Sequence, residues 1–256
     1  MIISFSGNEI MGKNLSDLLN VEIGETIIRH FPDGETYVKI ISDVKGRDII
    51  LVCSLQYPND KFLPIYFLSK TLKEFGASSI TLVAPYLPYM RQDKRFSEGE
   101  CITSVYFAEL LSSIVDKIIT IDPHLHRRKS LNEIYNIPTV VLHAAKTIAA
   151  WIRINIPDAL LVGPDIESEQ WVSVVAKDSG VPYIVLKKIR YGDKDVEIKV
   201  PDVSQWKLHI PVLIDDIIST ARTMTETVVQ LHKYGYKAPI CIGVHGVFSS
   251  NAYAEL

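Results

Sequence analysis

The sequence predicts an α/β fold of two tandem domains, each a mostly parallel sheet flanked by helices. Three observations carry this reading. Short β-branched runs alternate with amphipathic stretches, the alternation restarts near residue 143, and several runs stop at charged or hydroxyl residues. Strand–helix alternation of this kind gives parallel sheets covered on both faces.

The elements follow in order. Asp48–Cys53 reads as a strand. Asp60–Phe75 reads as a helix, because Phe62, Ile65, Tyr66, Leu68 and Leu72 recur at helical spacing and Gly76 supplies the stop. Ser79–Ala84 is the next strand. Thr103 is expected to cap a helix through Ile114, and Asp116–Ile121 is again a strand. The second alternation begins with a helix at about His143. Strand Ala159–Val162, a helix from Ser168 to about Ser179 and strand Tyr183–Leu186 come next. A more polar, hairpin-like segment lies around Gly192 and Val196–Val200. Strand Pro211–Ile214, a helix from Thr223 to Tyr234 and strand Pro239–Val244 complete the series. No Gly/Ser linker marks a boundary. The best cut lies within 142–147, giving domains of 1–145 and 146–256.

Bulk properties narrow the function. A net charge of −3 provides no global basic field, which argues against nucleic acid and membrane surfaces as partners. Basic residues cluster only locally, at 91–95, 127–129 and 187–190, as suits a small anionic ligand. Cys53, Cys101 and Cys241 form no Cys-x-x-Cys pair and read as reduced thiols, with Cys53 and Cys241 buried in strands. With no basic leader and no apolar run of about 18 residues, a cytoplasmic location is expected.

The most informative stretch is Val212 to Met224. A short apolar strand runs into adjacent carboxylates, Asp215 and Asp216, then into a loop of small and hydroxyl residues that opens a helix. That order builds an anion site, because the helix offers unpaired N–H groups to a phosphate. Ser219, Thr220 and Thr223 add hydroxyl donors, while the aspartates suit sugar hydroxyls or a hydrated metal.

Five further segments are suggestive, and each also has a plainer reading. Phe31 to Glu35 holds Pro-Asp-Gly turn chemistry and reads equally as a simple turn. Pro85 to Arg95 leaves a strand and ends in Arg91, Gln92, Lys94 and Arg95, a cationic set for polyphosphate or a charged surface loop. Asp122-Pro-His124-Leu-His126 offers a metal-ligating His at a strand terminus, or polar surface. Asp165 sits where an apolar strand stops, and Ser168 is placed to cap the helix that follows. Lys187, Lys188 and Arg190 precede a Gly-containing loop able to close over phosphates, or simply solvated.

Taken together and in this order, these segments resemble the ribose-phosphate diphosphokinase (phosphoribosyl diphosphate synthetase) family. The resemblance runs from Phe5 to the end of the chain. It rests most on the Phe31-x-Asp33-Gly34-Glu35 turn, the tyrosine-rich stretch ending in Arg91-Gln92, the Asp122-x-His124 turn, the Lys188-x-Arg190 pair and the Asp215–Thr223 loop. It implies two phosphoribosyltransferase-like domains with the active site between them. It also implies a homo-oligomer, dimer or hexamer, whose neighbouring subunit shares the ATP site. Phe31, Asp33 and Glu35 would then reach the adenine of ATP, and Arg91 and Gln92 would contact ATP, with Arg91 on its phosphates. His124 and Asp165 would ligate magnesium. Asp215 and Asp216 would hold the ribose hydroxyls or their metal, and Ser219, Thr220, Ala221, Arg222 and Thr223 would cradle the 5-phosphate. Lys188 and Arg190 would stabilise the transferred group.

The implied reaction is diphosphoryl transfer from MgATP to ribose 5-phosphate for nucleotide biosynthesis. It needs positioning and charge neutralisation more than a covalent catalyst, and the sequence offers no nucleophile–base pair. Two positions depart from the family pattern. Arg222 stands where glycine is common, and a side chain there resists positive φ. Ile166 to Ser168 replace small glycines after Asp165 with bulk. These departures motivate an inactive regulatory homologue as one alternative. The other is a phosphoribosyltransferase, which should lack the elements at 31–35 and 91–92. The chain stops at Ala252–Leu256 inside an expected helix, so it reads as shortened.

Overall fold

The computed structural model describes residues 1–191, 195–199, 204–249 and 251–256; for 187–191, 195–199 and 204 only the backbone is described. The chain divides into two compact units, Met1–Leu142 and His143–Leu256.

The first unit contains β1 (Ile2–Ser4), α1 (Glu9–Leu19), β2 (Thr26–His30), β3 (Thr36–Ile40), β4 (Asp48–Val52), α2 (Pro58–Glu74), β5 (Ser79–Val83), α3 (Thr103–Ser112), β6 (Lys117–Ile121) and β7 (Thr139–Leu142). Its main sheet has the order β1-β4-β5-β6-β7, and every pairing is parallel. β2 and β3 form a separate antiparallel hairpin. Ile49, Leu51, Leu82, Ile80 and Ile118 are almost fully buried in the sheet, and α2 covers it with Ile65, Leu68 and Leu72, the helical spacing legible in the sequence. Gly76, at φ +87, ends that helix as expected. Thr103 is not a cap. It is the first residue of α3, Ile102 holds the cap position, and the Thr103 hydroxyl is directed elsewhere.

The second unit contains α4 (Ala145–Asn155), β8 (Ala159–Gly163), α5 (Glu169–Ser179), β9 (Tyr183–Val185), β10 (Lys187–Tyr191), β11 (Asp195–Lys199), β12 (Ile210–Ile218), α6 (Arg222–Lys233), β13 (Ile240–Gly246) and α7 (Ala252–Glu255). β13-β12-β8-β9 form a parallel sheet. Alternation along its central strands sorts side chains to two faces. Leu160, Val162 and Leu213 pack with Met224 and Leu231 of α6. Ala159, Leu161, Val212 and Ile214 pack with Ala149 and Ile152 of α4 and Val172 and Val175 of α5. Every residue of β8 is buried, as a strand covered on both faces requires.

β10 and β11 pair antiparallel, from Lys187↔Lys199 to Tyr191↔Asp195. This is the hairpin expected from the polar segment; Gly192 and Val200 lie outside the described residues. Among the described residues, no helix is long and apolar enough to cross a membrane.

Candidate active site

The topology of the second sheet places its functional residues. After β8 the chain forms β9 on one side, then returns as β12 on the other. The order of strand addition therefore reverses between β8 and β12, and such a switch point opens a crevice at the carboxyl ends of the two parallel strands. Leu213 pairs with Val162, so Asp215 lies two residues beyond the last pair on one strand and Asp165 three beyond on the other.

β12 is longer than the sequence suggested. It runs through Asp215 and Asp216 to Ile218, because β13 continues to pair with it at Gly243, His245 and Gly246. The two aspartates are thus strand residues rather than the start of a loop. The Asp216 N–H donates to Asp215 Oδ1 at 3.0 Å, and Asp216 itself is buried. Burial, then the neighbouring charges of Asp216 and Asp165, push the Asp215 carboxyl well above the usual carboxylate range. Carboxylates gathered this way are relieved by a hard cation or by hydroxyl donors, and their oxygen chemistry fits magnesium.

The turn carrying Asp165 differs from expectation. Ser168 occupies the cap position of α5 but makes no side-chain cap bond, because its hydroxyl donates back to the Asp165 carbonyl at 2.5 Å. The Ser168 N–H donates to Asp165 Oδ1 at 3.0 Å, fixing the carboxylate's orientation. Ile166 adds no bulk inside the turn, being 65% exposed.

After β12, Ser219 and Thr220 lead to Ala221, which adopts φ +58 at the cap of α6. The first helix bond runs from the Thr225 N–H to the Ala221 carbonyl at 2.8 Å. The N–H groups of Arg222, Thr223 and Met224 therefore have no acceptor inside the helix, the arrangement that receives a phosphate. Arg222 is the first helical residue and is exposed; the left-handed position is Ala221. The conformational objection to Arg222 is removed by a shift of one residue.

In the first unit, Phe31 to Glu35 form the tip of the β2–β3 hairpin, closed by the His30↔Thr36 pair. The segment is a turn, as its simpler reading held. The Glu35 N–H donates to Asp33 Oδ1 at 3.2 Å, and Gly34 takes φ +92. Phe31, Asp33 and Glu35 are all exposed. The Arg29 guanidinium lies 4.7 Å from the Phe31 ring centre and 4.3 Å from that of Tyr37, steadying the tip.

β5 and β6 are neighbours, so the segments that follow them leave the same sheet edge. The first carries Arg91, exposed, and Gln92, whose Oε1 accepts from the Thr103 hydroxyl at 3.0 Å. That bond leaves the Gln92 amide N–H groups as its contribution to a ligand. The second carries His124, whose Nδ1 lies 3.1 Å from His126 Nε2.

The structure thus gathers Asp165, Asp215 and Asp216 in one unit, and it sets Arg91, Gln92 and His124 on adjoining segments of the other. Lys188 and Arg190 fall in β10, in register with Ile198 and Val196. Sequence reasoning gave no role to Asp93 and read Thr103 only as a helix cap. Asp93 did carry a signal, as the sole acid within the basic run 91–95.

Residues 1–114 match the N-terminal domain of ribose phosphate pyrophosphokinase, and residues 130–256 match the phosphoribosyl transferase domain. The ribose-phosphate pyrophosphokinase of Saccharolobus solfataricus is 29% identical over 259 residues, covering 100% of this chain and 88% of that protein. The enzyme of the same name from Methanothermobacter thermautotrophicus is 30% identical over 258 residues, with 100% and 88% covered. The crystal structure of phosphoribosylpyrophosphate synthetase from Mycobacterium smegmatis matches with a TM-score of 0.87 at 26% identity, covering 100% of this chain and 84% of that one.

Proposed function

The chain belongs to the ribose-phosphate pyrophosphokinase family, and on that footing we propose that it transfers the diphosphoryl group of ATP to the anomeric hydroxyl of ribose 5-phosphate. The products are AMP and phosphoribosyl diphosphate. The observation that carries this reading is the switch point of the second sheet. Three carboxylates meet there, beside a hydroxyl loop that opens a helix with unpaired N–H groups.

Domain 1–145 supplies the ATP-binding elements and domain 146–256 those for ribose 5-phosphate. Ser219 to Thr223 bind the 5-phosphate through backbone N–H groups and hydroxyls, and the Arg222 charge adds to the attraction. Asp215 and Asp216 orient the ribose hydroxyls. Arg91 neutralises ATP phosphates and Gln92 donates through its amide. The anomeric hydroxyl releases its proton to solvent as its oxygen bonds to the β-phosphorus, in line with the bond to the α–β bridging oxygen, which breaks and leaves with AMP. Lys188 and Arg190 offset the charge on the transferred group. Asp165, the neighbouring carboxylates and His124 would hold magnesium, which when bound would offset phosphate charge.

Phe31, Asp33 and Glu35 are exposed at the hairpin tip of the single chain, which supports an adenine site completed by a second copy in a dimer or hexamer. The inactive-homologue reading loses one of its motives once Ala221, not Arg222, holds the left-handed position.

The test is a coupled assay for AMP with ribose 5-phosphate and MgATP. AMP formation that depends on both substrates is expected, and its absence from folded protein defeats the proposal. Lys188→Ala is expected to lower kcat by about 100-fold, the usual loss for one donor to developing charge. Wild-type activity in that variant defeats the role given to Lys188.

A further inference from the structure

We infer that Asp93 is a positioning residue for ATP, clamping the segment that carries Arg91 and Gln92 to the one that carries His124. The inference rests on the assignment of Arg91 and Gln92 to ATP.

The side chain of Asp93 is only 3% exposed, although it lies in a run of cations. A buried carboxylate requires a partner. Arg127 provides one, with its guanidinium 2.9 Å from Asp93 Oδ1 across 34 residues of sequence. Arg128 adds a bond to the Asp93 carbonyl at 3.3 Å, and itself lies 3.8 Å from Glu133. Phe96 extends the contact, with Lys94 5.2 Å and Arg127 5.3 Å from its ring centre. The opposite side of the segment is tied to α3 through Thr103 to Gln92 and through the Ser104 N–H to the Gln92 carbonyl at 3.3 Å.

Gln92 and Asp93, the two residues directly after Arg91, are therefore tied in two directions, to α3 and to the segment of Arg127 and Arg128. The anchor matters because Arg91 is exposed and, among the described residues, has no hydrogen bond or ion pair of its own. Its placement depends on the backbone beside it. The neighbouring anchor is Asp93, and the Arg127 it engages follows His124 by three residues. One ion pair thus sets the spacing between two groups that act on the same nucleotide. Small misplacements of such groups are costly to transition-state binding.

The test uses the full chain with Asp93→Asn, Asp93→Glu and Arg127→Met. The Arg127 side chain is 40% exposed, so its variant has little reason to misfold even if the Asp93 variants do. Asp93→Asn and Arg127→Met are each expected to raise KM for ATP by about tenfold, a loss within the range for a displaced binding group. KM for ribose 5-phosphate should stay within twofold in both. The double variant should be no worse than either single, and Asp93→Glu should recover part of the loss. If the variants melt lower but keep the wild-type KM for ATP, the pair is structural only and the inference is overturned. If the wild type releases no AMP, the functional reading itself has failed instead.

Discussion

Gly163 and Ser168 are in contact across the turn that carries Asp165: a Cβ at residue 163 would stand 2.6 Å from Ser168 Oγ. The same Cβ would lie 3.4 Å from both Val172 and Val185, so the strand end has no room for a side chain. The Ser168 hydroxyl cannot simply move aside, because it is bonded to the Asp165 carbonyl. Gly163→Ala is expected to cost about 1–3 kcal/mol, as overpacking does. Thermal melts of Gly163→Ala, Ser168→Gly and the pair should show the double variant recovering stability relative to Gly163→Ala. Strict additivity would place the strain elsewhere.

At Ala221 the constraint is conformational. A β-branched residue is a true outlier at φ +58. Ala221→Val is expected to lose about 1–2 kcal/mol and to weaken ribose 5-phosphate binding, while Ala221→Gly keeps both near wild type. Arg222→Gly should change ribose 5-phosphate affinity by less than about tenfold, since only one exposed cation is removed. Titration calorimetry with ribose 5-phosphate checks all three.

Asp215 makes stability depend on pH and metal. Its folded carboxyl titrates above the ordinary value of 3.8, because burial and then Asp216 and Asp165 oppose the charge. At low pH both folded and unfolded chains hold the proton. As pH rises past the unfolded value, the unfolded chain ionises first, so stability falls until the folded carboxyl also ionises. Melting temperature without metal is therefore expected to fall between pH 5 and pH 8, less so in Asp215→Asn. Magnesium should raise it more at pH 8 than at pH 5. A gain from magnesium that Asp215→Asn leaves unchanged would remove this carboxylate from the cation's surroundings.

The thiols should separate by reactivity. Cys101 is exposed, whereas burial pushes the Cys53 thiol up to about 12 and that of Cys241 up as well. Thiolate is the reactive form, so a disulfide reagent at pH 8 should find one fast site, and Cys101→Ser should abolish it. A fast phase that survives this change would show one of the other two thiols to be accessible.

Much of the fold was legible because its strongest signals are local. The unbroken apolar run at 159–162 marks a strand covered on both faces, and the recurrence from Phe62 to Leu72 marks one helix face. The boundary of β12 was not legible, because two aspartates look like the end of a strand unless the pairing of Asp215 with Gly243 is known. Nor could the sequence tell which residue of Ala221-Arg222 takes the left-handed position, since that depends on where α6 begins. Asp93 and Arg127 meet only because β5 and β6 adjoin, a fact of sheet order that a single sequence does not display. The Ser168 and Thr103 hydroxyls had obvious local duties as caps and were drawn instead to partners in the turn before and in the segment before.

The bond from Thr103 to Gln92 has one more consequence. Rotating the Gln92 amide by half a turn would set an NH₂ group against the hydroxyl oxygen and reverse the polarity presented to a ligand. While Thr103 donates to Oε1, the orientation of the amide is fixed, and its NH₂ group is left to donate to lone pairs. A ligand atom seated against that NH₂ group is expected to be an oxygen or an unprotonated ring nitrogen. The threonine, which need not touch a ligand, thereby helps set which atoms the amide can meet.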